Sequence, residues 1–176
     1  MLFTKTGLNG AWLIDAEPVR DNRGWFARTF CENEFAANGL ETSFVQHSTS
    51  QNVHRGTLRG MHFQSGAHAE VKVVRCLKGA ILDVIIDLNP ASPTYKQWRG
   101  FELSADNQRQ LYIPKGFAHG FQTLQDNCEI GYLISQFYAP AASTGVRWND
   151  PAFAIEWPLP VAEMSDKDKA WPDFAG

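Results

Sequence analysis

The stretch from Gly56 to Gln64 carries a histidine, His62, beside an arginine, Arg59. Leu58, Met61 and Phe63 favour an extended chain there. A strand fixes the direction of its side chains, so an imidazole on its inner face is held as a general base must be held. Further on, Asp83 shares one side of an apolar run with Ile81 and Ile85. A buried carboxylate is costly alone, so Asp83 demands a partner. A second histidine, His119, stands among aromatics just beyond the turn Pro114-Lys115-Gly116. Two histidines make a poor ligand set for a catalytic metal, which takes at least three protein ligands.

The elements that must position these groups read as short strands. Asp21-Asn22-Arg23-Gly24 is a turn signal, and Trp25 to Phe30 has strand composition. Glu32 to Asn38 predicts a short helix ending at Gly39. Phe44 to His47 is extended, and Ser48 to Arg55 is polar enough for a loop. Lys72 to Leu88 predicts two largely buried strands broken at Lys78-Gly79, followed by a loop at Asn89 to Pro93. Further strands are expected at Trp98 to Leu103, Leu111 to Ile113 and Glu129 to Ile134. Fourteen glycines and nine prolines punctuate these runs, and helix-length periodicity is nearly absent. The fold class is therefore all-β, a sandwich or barrel.

A chain of 176 residues predicts one domain over residues 1–176, with a single core. The net charge of -3 argues against a nucleic-acid partner, and no apolar run approaches membrane-spanning length. The N-terminus lacks the pattern of a secretion signal, and Cys31, Cys76 and Cys128 lack metal spacing. A reduced cytoplasm fits best, with Cys76 as a small core residue.

The chain carries two resemblances. Pro114 to Phe121 resembles the second sequence motif of the cupins, jelly-roll proteins of which many bind a metal. Their first motif supplies two close histidines and a carboxylate, whereas in this chain Phe63 and Gln64 follow His62. More specifically, a series of motifs falls in order along the whole chain. It comprises Asp21 to Gly24, Leu58 to Gln64, Lys72 ahead of Val74-Arg75-Cys76, Ser92-Pro93-Thr94, and Ile113 to Phe121. Tyr132 and Tyr138, Trp148-Asn149-Asp150, Glu156-Trp157-Pro158 and Ser165 to Asp168 complete it. The chain thus resembles the dTDP-4-dehydrorhamnose 3,5-epimerases. That resemblance implies a cupin-like jelly roll with short peripheral helices and a homodimer. The implied substrate is a nucleotide-diphosphate 4-keto-6-deoxy sugar, used in deoxysugar biosynthesis without metal or organic cofactor.

The resemblance also implies roles. His62 would be the base, with Asp168 as its partner, Lys72 the stabiliser of an enolate, and Tyr132 the proton donor. Arg59 and Arg23 would hold the diphosphate, since a guanidinium fork suits that group. Tyr138 would stack on the nucleotide base, with Phe26 in the same pocket and Gln46 and Lys167 among the substrate contacts. Asp83 and His119 would contact or support the sugar end. By residue type alone, Asp168 reads as a solvated charge, Lys72 as a lysine snorkelling from its strand, Tyr132 as a core tyrosine and the arginines as surface charges. A metal-dependent cupin enzyme and a non-catalytic sugar-nucleotide-binding cupin stay open beside the epimerase. In two places the chain departs from the family pattern: Arg28 and Ser143 stand where glutamates are usual. The Arg28 exchange reverses charge and hydrogen-bond sense near the nucleotide and makes a CDP-linked sugar a candidate.

Overall fold

The computed structural model describes residues 1–176. Its strands are β1 (Leu2–Lys5), β2 (Trp12–Asp15), β3 (Val19–Asp21), β4 (Gly24–Phe26), β5 (Gln46–Asn52), β6 (Leu58–Gln64) and β7 (Lys72–Lys78). They continue with β8 (Ala80–Asp87), β9 (Trp98–Ser104), β10 (Gln110–Ile113), β11 (Phe117–Thr123), β12 (Cys128–Ile134) and β13 (Ser143–Gly145). Two short helices, α1 (Glu32–Ala37) and α2 (Asp166–Lys169), lie outside the strands.

One sheet has the order β1-β2-β10-β7-β12-β5, the other β13-β6-β11-β8-β9, and β3-β4 form a separate hairpin. From β5 onward the chain changes sheet at every connection except β8 to β9. That alternation makes the expected jelly roll. Val74, Cys76, Leu111, Ile113 and Ile130 of the six-stranded sheet meet Ile81, Ile85, Leu103, Phe117 and Phe121 of the other in the largest core cluster.

Two further clusters cover the outer faces. Phe35 of α1 packs with Ile14, Val73 and Tyr112 against the six-stranded sheet. Val84 and Ile86 of β8 pack with Phe153 and Ile155, and Phe174 leans on the same cluster. Strand β8 is thus buried on both faces, which is why its sequence is a nearly continuous apolar run. Cys76 is buried in the main core, as expected. No helix is long and apolar enough to cross a membrane.

Three local expectations need correction. Ser48 to Arg55 is no loop, because most of it belongs to β5, which pairs with β12 from Gln46 to Asn52. Strand β5 is the last in its sheet, and polar side chains are what an edge strand carries. The strand expected at Trp25 to Phe30 stops at Phe26. Residues Phe117 to Thr123, read only as a stretch after a turn, form a fully buried central strand.

Strands β6 and β11 approach unusually closely beside the two histidines. A Cβ on Gly60 would lie 2.5 Å from Gly120 Cα, and one on Gly120 would lie 2.6 Å from Met61 Sδ. Gly60 also has φ +134°, which side chains rarely adopt. The register shifts at this point, between His119 and Phe121.

Candidate active site

His62 and His119 are direct cross-strand partners on β6 and β11. Each is tied to a carboxylate. His62 Nε2 lies 2.6 Å from Asp168 Oδ1, and His119 Nε2 lies 2.6 Å from Asp83 Oδ1. An ionised carboxylate can only accept, so Nε2 of His62 carries the hydrogen and Nδ1 is left as the basic nitrogen. Asp83 is fully buried, and His119 is the partner that its place on an apolar face demanded.

Asp168 arrives from α2. Ser165 caps that helix, its Oγ accepting from the Asp168 N–H at 3.1 Å. The backbone N–H of Gly60 donates to Asp168 Oδ2 at 3.2 Å. Burial pushes the Asp168 carboxyl up, but the His62 hydrogen bond and charge, with the Gly60 and Ser165 bonds, outweigh it and hold the group below its ordinary value. The segment leading to α2 runs along the cavity mouth, where Leu58 N–H donates to Glu163 O at 2.9 Å. Trp171 beyond it packs on Gly145, with ring centroids of Trp171 and His62 6.4 Å apart.

Lys72 and Tyr132 come from the other sheet. Lys72 pairs with Ile134 in the register of β7 and β12, so Tyr132, two residues from Ile134, is its diagonal neighbour on the inner face. Tyr132 OH and Ser50 Oγ are 3.0 Å apart. Burial is the main cause that pushes the phenol up to about 12, against the opposing bond to Ser50. Lys72 Nζ pairs with Glu70 Oε1 at 2.9 Å.

These groups border two adjoining cavities that share Arg59, His62, Lys72 and Ile134. The inner one, of about 230 Å³, adds Tyr132, His119 and Ser48. The outer one, of about 610 Å³, adds Gln46, Tyr138, Lys167 and Asp168. Arg59 is held by neutral acceptors, Asn52 Oδ1 at 2.6 Å and Gln51 O at 3.1 Å, so its charge stays available to an anion. Lys167 Nζ sits 5.3 Å from the Trp171 ring centroid and 3.5 Å from Ser143 Oγ.

The structure therefore brings His62, Lys72, Tyr132, His119, Arg59, Gln46, Tyr138, Lys167 and Asp168 to one site, with Asp83 behind His119. It does not bring Arg23, Phe26 or Arg28 there, since none lines either cavity of its own chain. Arg23 pairs with Asp21 on the β3-β4 hairpin, and Arg28 Nη1 lies 3.1 Å from Glu34 Oε1 of α1. Gln46 does double duty, because its Oε1 accepts the Tyr138 N–H at 2.7 Å. No three His, Cys, Asp or Glu side chains converge to hold a metal, so the metal-dependent alternative finds no ligand set.

Sequence reasoning missed Gln64, Glu70, Ser165 and Ser50. Gln64 anchors the 137–139 segment through Phe137 O and the Ala139 N–H. The serine three residues before Asp168 was a legible helix-capping signal. Glu70, two residues before Lys72, had the spacing that puts side chains on one face of an extended chain.

A sequence model described as dTDP-4-dehydrorhamnose 3,5-epimerase matches residues 5–176. A protein of that name from Methanothermobacter thermautotrophicus is 45% identical over 172 residues, covering 96% of this chain and 92% of the relative. The crystal structure of the Bacillus anthracis dTDP-4-dehydrorhamnose 3,5-epimerase with TDP and pyrophosphate bound superposes with a TM-score of 0.95. It is 42% identical, covering 98% of this chain and 99% of that one. A Legionella pneumophila epimerase in complex with dTDP-4-keto-L-rhamnose gives a TM-score of 0.91 at 36% identity, covering 97% of this chain and 90% of that one. On sequence and fold alike, the chain belongs to the dTDP-4-dehydrorhamnose 3,5-epimerase family.

Proposed function

We propose that this protein inverts C3 and C5 of a dTDP-linked 4-keto-6-deoxy sugar in deoxysugar biosynthesis. The C4 ketone acidifies the hydrogens on both neighbouring carbons. His62 takes one as a proton, and the electron pair of the broken C–H bond moves onto the ketone oxygen as an enolate. Lys72 stabilises that oxygen, the enolate then collapses, and Tyr132 protonates the carbon from the opposite face. The observation that carries this reading is the division of the groups between the sheets. His62, with Asp168 of α2 against it, stands on the five-stranded sheet, and Tyr132 with Lys72 on the six-stranded one, around shared cavities.

A phenol pushed up to about 12 stays protonated at neutral pH and releases its proton only to a strong base such as an enolate carbon. Arg59 and Lys167 bind the diphosphate, and Tyr138, 61% exposed at the rim of the outer cavity, takes the base. A binding module would need no acid and base around its ligand.

The test is turnover in heavy water with dTDP-linked and CDP-linked 4-keto-6-deoxy sugars. Deuterium is expected at C3 and C5 of the dTDP-linked sugar, faster than in the CDP-linked one. Tyr132→Phe is expected to keep exchange at the face served by His62 while net inversion falls by about 10²-fold. Absence of label from both nucleotides would sink the epimerase reading, and label confined to one carbon would narrow it to a mono-epimerase.

We also propose that the protein works as a homodimer, in which the β3-β4 hairpin delivers Arg23 and Phe26 to the outer cavity of a second copy. Supporting this, Phe26 is 77% and Val19 72% exposed on that hairpin. Arg75, on the outer face of the six-stranded sheet, is partly desolvated without a carboxylate partner in its own chain, and burial lowers it from the usual arginine value. Sedimentation equilibrium is expected to give twice the chain mass, and Phe26→Asp to shift it towards the monomer. A wild-type monomer at micromolar concentration would remove the hairpin from the site. Three free thiols, two of them buried, suit a reducing cytoplasm.

A further inference from the structure

Glu70 is buried, and both its oxygens are engaged at the cavity. Oε1 lies 2.9 Å from Lys72 Nζ, with the two side chains only 6% and 14% exposed. Oε2 accepts the backbone N–H of Gln64 at 3.2 Å. Lys72 begins β7 of the six-stranded sheet, whereas Gln64 ends β6 of the five-stranded sheet, two residues after His62. One carboxylate therefore ties the strand of the base to the ammonium on the opposite wall.

We propose that Glu70 is a positioning residue for the epimerisation, setting Lys72 against the plane of attack from His62 by means of its charge. This rests on the catalytic roles of His62 and Lys72 in the proposed function. A buried ammonium with no compensating charge is unfavourable and seeks another anion. The other acids lining the outer cavity are Asp168 and Glu163, and the substrate would bring a diphosphate to the same cavity. Glu70 removes that choice. Its own charge opposes the enolate, but it is fixed before the reaction begins and needs no rearrangement during it, which is the condition for electrostatic stabilisation to be effective. The bond to Gln64 keeps the carboxylate from following Lys72 towards the substrate.

Glu70→Gln keeps the shape and the acceptor for the Gln64 N–H and removes only the charge. It is expected to lower kcat by about tenfold to a hundredfold, the cost of a misplaced catalytic group. KM and the affinity for dTDP are expected to stay within about twofold, because Arg59, Lys167 and Tyr138, which hold the nucleotide end, keep their side chains. In a Lys72→Met background the same exchange is expected to cost nothing further in solvent deuterium exchange, because its effect passes through Lys72. If Glu70→Gln is too unstable to assay, the double variant is expected to regain the lost melting temperature, since no lone buried charge remains.

Four results would overturn the proposal: a Glu70→Gln kcat within twofold of wild type, a raised KM at unchanged kcat, an equal loss in the Lys72→Met background, or a double variant no more stable than an unstable Glu70→Gln. Failure of the wild-type protein to exchange any substrate hydrogen is a different outcome, and would overturn the epimerase function and the positioning role of Glu70 together.

Discussion

Replacing His62 by alanine is expected to lower kcat for epimerisation by about 10²- to 10⁴-fold, the range typical for loss of a positioned general base. Its affinity for dTDP is expected to stay within about twofold. The separation follows from the geometry. His62 and Arg59 border both cavities, whereas Lys167 and Tyr138 line only the outer one, and the charge of Arg59 does not depend on the imidazole. Calorimetric titration with dTDP beside a deuterium-exchange assay checks both halves. Wild-type exchange in His62→Ala would move the base elsewhere, and His119 would be next in line as the other carboxylate-tied histidine of the site.

The pH dependence of the pair has a definite sign. Asp168 is held below its ordinary value in the folded chain, so its contribution to stability is present above the unfolded value near pH 4 and is lost as pH falls through the lower folded one. Loss of activity between pH 4 and neutrality therefore belongs to a group other than Asp168.

The second large effect is expected at Lys72. Lys72→Met keeps much of the stem length and removes the charge, and is expected to cost about 10²- to 10³-fold in kcat, the scale for one lost oxyanion donor. The enolate intermediate would suffer more than the ground-state ketone, so kcat and kcat/KM should fall together. Measuring both on the dTDP-linked substrate separates this from a binding role. A raised KM at full kcat would make Lys72 a substrate anchor instead. Because Glu70 loses its ion-pair partner in this variant, the fold should be monitored by melting alongside.

Much of the scaffold was legible because its strands announce themselves. The apolar run around Ile81 to Ile86, the break at Lys78-Gly79 and the glycine ending α1 all follow from local chemistry, and Gly39 does adopt φ +68°. Strand β5 escaped because its sequence, Gln-His-Ser-Thr-Ser-Gln-Asn, gives no hydrophobic signal, and its hydrogen bonds to β12 depend on a partner far along the chain. Strand β11 escaped for the opposite reason. It is buried on both sides, so no alternation marks it.

The site was less legible than the fold. His62 stood out as a well-held base from its strand alone, and the need of Asp83 for a partner could be argued from burial. Nothing local connects His62 to Asp168, 106 positions away, and only resemblance to the family suggested the pair. Glu70 was overlooked because it precedes its strand in a polar segment, where a carboxylate ordinarily meets water.

The late arrival of Asp168 has a consequence for biosynthesis. Chains are made from the N-terminus, so all thirteen strands precede α2 on the ribosome, and the jelly roll can form before the carboxylate emerges. Until then the imidazole of His62 lacks its partner, and the mouth of the outer cavity lacks the wall made by Glu163, Met164 and Ser165. A newly made chain thus has its scaffold before it has a finished site, since Lys167 emerges with the same helix. A stop codon just ahead of Ser165 would leave it there for good, with every strand present but without Asp168 for its base or Lys167 for the diphosphate.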